Sequence, residues 1–246
     1  MKPKRFVIAG DNHGDQVDEE TDRALGAFLK EFKPEIRIHS GDCFDFRNFR
    51  KGAGDDEKAH SLAEDWEAGS QFLRKFFEGG KQNVLLRGNH DERLWYLESA
   101  VTGVLRDYAR DGIKQFTQLV TRAKATMLPY DARLGIFRLG HMKVVHGYFA
   151  GLSSARRHSI TYGNCLFGHT HATDSAPVES ADGPAEARGI GCCCKIDMSY
   201  NQHMPGKLRH NNAWCYGFLF EDGTYQLFQA KKLNGRFYAA TTIKEL

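Results

Sequence analysis

Val84-Leu85-Leu86-Arg87-Gly88-Asn89-His90-Asp91-Glu92 is the stretch on which the reading of this chain turns. A short apolar run ends in Gly88, where a tight turn meets no Cβ, and an amide, an imidazole and a carboxylate follow in succession. By itself such a turn is more often a capped loop than a catalytic site. Four other segments repeat the pattern. Asp11-Asn12-His13 follows Phe6 to Ala9, Gly41-Asp42-Cys43-Phe44-Asp45 follows Ile36 to Ile38, His146-Gly147 follows Val144-Val145, and Gly168-His169-Thr170-His171 follows Leu166-Phe167. Five apolar runs end in residues able to ligate a metal.

Outward from this stretch, the periodicities predict an α/β chain. Phe6 to Ala9 reads as a buried strand, and Asp18 to Lys33 as a helix with Leu25, Phe28, Leu29 and Phe32 on one stripe, closed by Pro34. Ile36 to Ile38 returns as a strand, so strand, helix and strand make a right-handed parallel crossover with both loops at one sheet edge. Phe46 to His60 reads as a polar surface loop. Ser61 to Glu64 has capping-box spacing ahead of the apolar face Leu62, Trp66, Leu73, Phe76 and Phe77. Val84 to Leu86 is the third strand, and residues 92 to about 126 read as two helical pieces broken near Gly112, an insertion covering the site edge. Ile136 to Leu139 and Met142 to Val145 form a hairpin, and Ser154 to Tyr162 a helix. Ala172 to Gly189 is loop-like, with Pro177 and Pro184 as breakers, and the last sixty residues alternate as strands.

At 246 residues, 41% hydrophobic and 26% charged, one domain with a full-sized core is expected. A net charge of +3 demands neither nucleic acid nor an anionic membrane. No apolar run approaches the roughly 18 residues that cross a bilayer, and the apolar part of MKPKRFVIAG is short for a secretion signal, so a cytoplasmic protein is expected. In that setting Cys43, Cys165, Cys192, Cys193, Cys194 and Cys215 read as buried small residues rather than a disulfide framework. Three adjacent thiols on a strand would alternate faces and could not converge on one ion.

The chemistry follows from donor type. Asp11, His13, Asp42, Asn89, His146, His169 and His171 mix carboxylate, amide and imidazole, a set suited to Mn, Fe, Zn, Ni or Co rather than Ca. Seven donors are too many for one catalytic ion and suffice for two if a carboxylate bridges. A pair of ions roughly 3.5 to 4 Å apart clamps the attacking and leaving oxygens of a phosphoryl displacement. With two divalent ions offset by Asp11, Asp42 and a hydroxide, about one positive charge remains to attract an anionic ester.

In their order, the motifs Asp11-x-His13, Gly41-Asp42-x-x-Asp45, Gly88-Asn89-His90-Asp91, His146-Gly147 and Gly168-His169-Thr170-His171 resemble the calcineurin-like metallophosphoesterase family. The resemblance spans about Phe6 to Thr173. It implies a four-layer α/β/β/α sandwich with the metal loops at the carboxyl ends of strands. It also implies Asp11, His13 and His171 on one ion, Asn89, His146 and His169 on the other, Asp42 between them, and His90 protonating the leaving oxygen with its ring held by Asp45. The implied activity is hydrolysis of phosphate esters by a metal-activated hydroxide, with two divalent ions, manganese foremost. Phosphodiester or nuclease-like substrates lead, a protein-phosphatase-like monoesterase is the alternative, and an inactive binding module ranks last.

The phosphoprotein phosphatase branch carries an arginine directly after the final aspartate of the second motif and a glutamate after Asn-His, where this chain has Phe46 and Asp91. Arg47, one residue late, is the candidate phosphate contact, with Arg156 and Arg157 as further candidates. Asp91 reads either as a cap on the helix starting near Glu92 or as a functional carboxylate. His203, Arg209 and His210 read as a solvated basic face, Trp214 as packing, and His39, His60 and His141 as structural. The segment around Cys192 and Trp214 to Phe218 resembles bacteriophage and prophage members. A nucleotide or nucleic acid is an admissible substrate, no membrane partner is expected, and oligomeric state leaves no trace in the sequence.

Overall fold

In the computed structural model, which describes residues 2–180, 183–197 and 209–243, the first strand sets the layering. β1 (Lys4–Ala9) buries Phe6 and Ile8 on one face and Val7 and Ala9 on the other, because consecutive strand residues point in opposite directions. A strand buried on both faces needs a layer on each side. Phe6 and Ile8 pack with Ile36, Ile38, Val84 and Leu86 against Leu139, Met142, Val144 and Leu166, whereas Val7 and Ala9 pack with Leu25, Phe28, Phe76, Phe116 and Trp214.

The remaining elements follow in order. α1 (Glu19–Phe32) is capped by Asp18, whose carboxylate accepts from the Thr21 amide at 2.8 Å, and ends at Lys33 in the left-handed region. β2 (Ile36–His39), the short α2 (Asp55–Lys58), α3 (Leu62–Phe77) and β3 (Gln82–Leu86) come next. Ser61 Oγ accepts from the Glu64 amide at 3.2 Å, the cap its spacing predicts. α4 (Arg93–Ala100) and α5 (Val104–Arg122) lead to β4 (Ala125–Leu128), and the hairpin β5 (Ile136–Leu139) and β6 (Met142–Val145) precedes α6 (Ser154–Tyr162) and β7 (Cys165–Phe167). β8 (Ser175–Ser180), β9 (Gly183–Gly189), β10 (Ala213–Leu219), β11 (Tyr225–Leu233) and β12 (Arg236–Phe237) complete the chain.

The seven-stranded sheet runs β12-β11-β10-β1-β2-β3-β4 and the five-stranded sheet β5-β6-β7-β9-β8. Residues of α1, α3 and α5 cover the outer face of the first, and Ala155 and Tyr162 of α6 cover the second. The layering is therefore α/β/β/α, as expected. Parallel register places Ala9 beside His39 and His39 beside Leu85, so the loops after β1, β2 and β3 leave one edge together.

Three expectations need correction. The helical stretch after the opening motif breaks at residues 101–103, not at Gly112, and its last residues belong to β4. Gly112 lies inside α5 because a Cβ there would come within 3.3 Å of Leu94, so the glycine serves helix packing. Residues 172–189 are not loop throughout: β8 and β9 pair antiparallel. Pro177 is tolerated because β8 is an edge strand, and Pro184 because it precedes the part of β9 that pairs with β7. Cys192 to Cys194 is irregular rather than strand, with isolated bridges from Cys194 to Val17 and from Cys192 to Asn212 in place of a ladder. No helix among the described residues is long and apolar enough to cross a membrane.

Candidate metal centre

Five loops deliver the predicted donors to one place, each from a strand's carboxyl end. Asp11 and His13 follow β1, Asp42 follows β2, Asn89 follows β3, His146 follows β6, and His169 and His171 follow β7. Among the described residues, nine non-glycine positions have positive φ, and Asp11, His13, Asp42, Phe46, His169 and His171 are six of them. Left-handed backbone costs on the order of 1 kcal/mol per such residue, and concentrating it here aims side chains inward at the expense of stability. Gly88 makes room for a ligand: a Cβ there would stand 2.0 Å from Asp42 Oδ1.

Distances between donors show what the cluster can hold. His146 Nε2 lies 3.0 Å from Asn89 Oδ1 and 3.4 Å from Asp42 Oδ2, and His169 Nδ1 lies 2.7 Å from Asn89 Oδ1. On the other side His13 Nε2 is 3.1 Å from His171 Nε2 and 3.8 Å from Asp42 Oδ2, and His171 Nε2 is 3.5 Å from Asp11 Oδ1. Neighbouring donors held about 2.0 to 2.2 Å from a common ion stand about 3.0 to 3.5 Å apart, so the spacing fits. The triads His13, His171 and Cys194; His13, Asp42 and His90; and Asp42, His146 and His169 each bring three donor atoms within 4.8 Å.

Lone pairs make the stronger argument. His146 Nδ1 lies 2.9 Å from the Ser40 carbonyl, which can only accept, so this nitrogen carries the proton. Neutral His146 then points a bare Nε2 at Asn89 Oδ1 and at Asp42, three electron-rich atoms around one point. Either a proton or a cation must sit there. Although burial works against it, Asp42 pushes the His146 imidazole up to about 9, the proton taking that place. Asp42 itself, despite burial, is held far below the carboxylate range by His146 and His90. Burial brings His169 and His171 down to about 4 and lowers His13, which keeps these imidazoles neutral as ligation requires. Asp11 Oδ2 is buried without a hydrogen-bond partner.

His90 is more exposed than the innermost candidate ligands. Its side chain is 16% exposed against 1% for His13 and His146. His90 Nδ1 meets Asp45 Oδ1 at 2.6 Å, and its amide donates to Asp42 Oδ1 at 2.8 Å. Burial opposes protonation of this ring, but Asp42 and Asp45 outweigh it and raise its pKa. Asp45 also approaches His13 Nδ1 at 3.5 Å, so one carboxylate braces a ligand as well as His90.

The candidate arginines lie elsewhere. Arg47 is buried, its Nε donating to Asp45 Oδ2 at 2.6 Å and its Nη2 paired with Asp15. It braces Asp45 instead of facing a phosphate. Arg156 lines a groove between α6 and the β8–β9 hairpin with Lys143, Ile160, Val178 and Pro184, and Arg157 stacks 4.1 Å over Phe149. Neither reaches the donor cluster. Arg93, which the sequence did not single out, places Nη2 3.3 Å from His90 Nε2 and donates from Nη1 to the Asp45 carbonyl at 2.6 Å.

Two further carboxylates assemble the loops. Asp91 caps no helix: it accepts from the amides of Cys43 at 3.0 Å, Phe44 at 3.1 Å and Gly88 at 2.9 Å, stapling the Asp42 loop to the Asn89 loop. Asp65 on α3 accepts from the amides of Asp45 and Phe46 at 3.0 and 2.8 Å. A readable signal for Asp65 was its charge on the apolar stripe between Leu62 and Gly69. His39 is structural, bonded to Asn12 Oδ1 at 2.8 Å, and His158 accepts from the Tyr148 amide at 3.1 Å behind the His146 loop. His210 packs its ring 5.0 Å from that of His171, Arg209 pairs with Asp174 at 3.4 Å, and Trp214 is core; His203 lies outside the described residues.

Layers and loops together define an α/β sandwich protein with a candidate metal centre at the strand ends. The sequence matches no protein-family model and no curated protein. Among solved structures, the chain is similar to Vps29 complexed with Zn from Entamoeba histolytica, at 13% identity and TM-score 0.47 over 95% of this chain and 96% of that one. It is also similar to vacuolar protein sorting 29 of Cryptosporidium parvum, at 11% identity and TM-score 0.45 over 94% and 98%. YfcE, a phosphoesterase from E. coli, is similar at 14% identity and TM-score 0.40 over 96% and 97%.

Proposed function

We propose that this chain is a phosphoesterase of the calcineurin-like metallophosphoesterase type, dependent on two divalent transition-metal ions and acting on phosphate esters, diesters above monoesters. The observation that carries the reading is the convergence of Nε2 of His146 with Asn89 Oδ1 and Asp42 Oδ2, mirrored by the His13 and His171 nitrogens 3.1 Å apart. Asp11, His13 and His171 would hold one ion, Asn89, His146 and His169 the other, and Asp42 would touch both. Such ions polarise a phosphoryl oxygen and activate water for attack.

The remaining work belongs to the side chains. His90 gives its Nδ1–H to Asp45, which leaves Nε2 to pass a proton to the departing oxygen, and the raised pKa keeps that proton available near neutrality. Arg93 donates from Nη1 to the Asp45 carbonyl at 2.6 Å and, like Arg47, helps hold Asp45 in place. The engagement of Arg47 with Asp45 and Asp15 favours diesters, since a dianionic monoester loses that clamp and a monoanionic diester needs it less. Manganese is the expected ion, with Fe, Zn, Ni and Co compatible with the donors.

Turnover of p-nitrophenyl mono- and diesters, cyclic nucleotides and single-stranded DNA, with Mn and with Ni, tests the assignment. Diester hydrolysis abolished by chelator and restored by Mn is expected. Absence of turnover on every ester by metal-loaded protein would leave only a binding module.

A further inference from the structure

The three consecutive cysteines have no part in the proposed reaction, yet one of them reaches the metal loops. The Cys193 amide donates to Gly10 O at 3.0 Å, the Asp18 amide donates to Cys193 O at 2.9 Å, and Asn212 Nδ2 donates to Cys194 O at 2.7 Å. The Cys192 amide donates to Asn211 O at 3.0 Å, and the Asn211 amide donates in turn to His171 O at 2.8 Å. The segment is thus fastened both to the loop that carries Asp11 and His13 and to the loop that carries His171. All three thiols are fully buried. Cys192 Sγ faces the backbone oxygens of Asn211 and Cys194, whereas Cys194 Sγ stands 3.8 Å from His171 Nδ1.

An imidazole that offers one nitrogen to a metal keeps the proton on the other, and that N–H needs an acceptor to fix the tautomer and the ring. For His146 the acceptor is the Ser40 carbonyl. For His171, whose Nε2 faces His13 Nε2 at 3.1 Å and Asp11 Oδ1 at 3.5 Å, the atom on the far side of the ring is the Cys194 sulfur. We propose that Cys194 is the positioning residue of His171: its sulfur accepts the Nδ1–H and holds Nε2 bare, aimed at Asp11 and His13. The inference rests on the two-ion reading for what His171 then binds, but the tautomer stands apart from it. It also gives the irregular path of residues 191–195 a purpose, since a regular strand would not lay this thiol beside the last metal loop.

Imidazole 15N NMR of the metal-free protein reads the tautomer directly. Wild type and Cys194→Ser should carry the His171 proton on Nδ1, and Cys194→Ala should show a mixture of tautomers. Metal titration followed by elemental analysis should show one of the two ions bound roughly 10- to 100-fold more weakly in Cys194→Ala, the usual worth of such an outer partner, with the other ion unchanged and Cys194→Ser close to wild type. Cys193→Ala, whose thiol does not face His171, should match wild type in tautomer. A wild-type His171 protonated on Nε2 overturns the proposal, and that measurement needs no variant to fold. Unchanged affinities in Cys194→Ala overturn it too, as does a thiolate-to-cobalt charge-transfer band in the Co-loaded wild type that vanishes in Cys194→Ser, which would make Cys194 a ligand. If wild type takes up no ion, the two-ion reading falls while the tautomer still decides the role of Cys194.

Discussion

The two corners of the candidate centre are built differently. His146 and His169 each close on Asn89 Oδ1, at 3.0 and 2.7 Å, and the His146 ring is fixed by a backbone carbonyl at the end of β2. Asp11, His13 and His171 stand at 3.1 and 3.5 Å, leave Asp11 Oδ2 unpartnered, and have a thiol behind His171. The first corner is held by the strand ends themselves. The second depends on residues 191–195, which arrive some twenty residues after the last ligand. Rigid backbone acceptors and a soft sulfur acceptor give the two positions unequal grips, so a chelator should strip the His13 and His171 corner first.

The change expected to hurt most removes what the corners share. Asp42→Asn should cost on the order of 10⁴ or more in turnover, because Asp42 alone is placed between both groups of donors, and the metal content should fall with it. Full metal content in that variant would argue that the corners are independent. Next in size is His90→Asn, expected to lower turnover roughly 10² to 10⁴ while metal content stays near wild type. The loss should be smaller on p-nitrophenyl esters than on alkyl or nucleoside esters, since an acidic leaving group needs little help from a proton. Equal losses on both would strip His90 of the acid role. Asp45→Asn should follow the same trend but also weaken the His13 corner, because Asp45 braces both rings.

Smaller effects separate assembly from chemistry. Asp91→Ala should destabilise the protein by about 1 to 3 kcal/mol, read by chemical denaturation, since three buried amides of two metal loops lose their acceptor. Smallest is a proton count. With His146 raised to about 9 and Asp11 to about 6, filling the site at pH 7 to 8 should release about one proton per chain, from His146. Apparent affinity should therefore climb with pH until about 9 and drop more steeply below 6, where Asp11 must also give up a proton. Calorimetry in buffers of different ionisation heat counts the protons, and no release would place His146 outside the site.

What was legible in the sequence follows from locality. Each proposed ligand comes within a few residues of its strand, so β1, β2, β3, β6 and β7 announced the five loops through apolar runs ending in Gly, Asp, Asn and His. The supports were hidden because their partners are distant in the chain. Arg47 is spent on Asp15, 32 positions earlier, Asp65 reaches back to Asp45 and Phe46, and Cys194 meets His171 across an intervening hairpin. Pro177 and Pro184 read as breakers because what makes them harmless, the edge position of β8 and the absence of β7 pairing at the start of β9, is a property of the sheet and not of the residue. Gly112 misled in the same way, its small size answering to Leu94 and Trp66 rather than to a break.

The central claim is that these seven donors hold two ions. Elemental analysis of the purified chain, loaded with Mn, freed of excess metal and measured against protein concentration, tests it directly. About two ions per chain, falling when Asp42, His146 or His171 is replaced, is the expected result. A ratio near zero after loading would contradict the account.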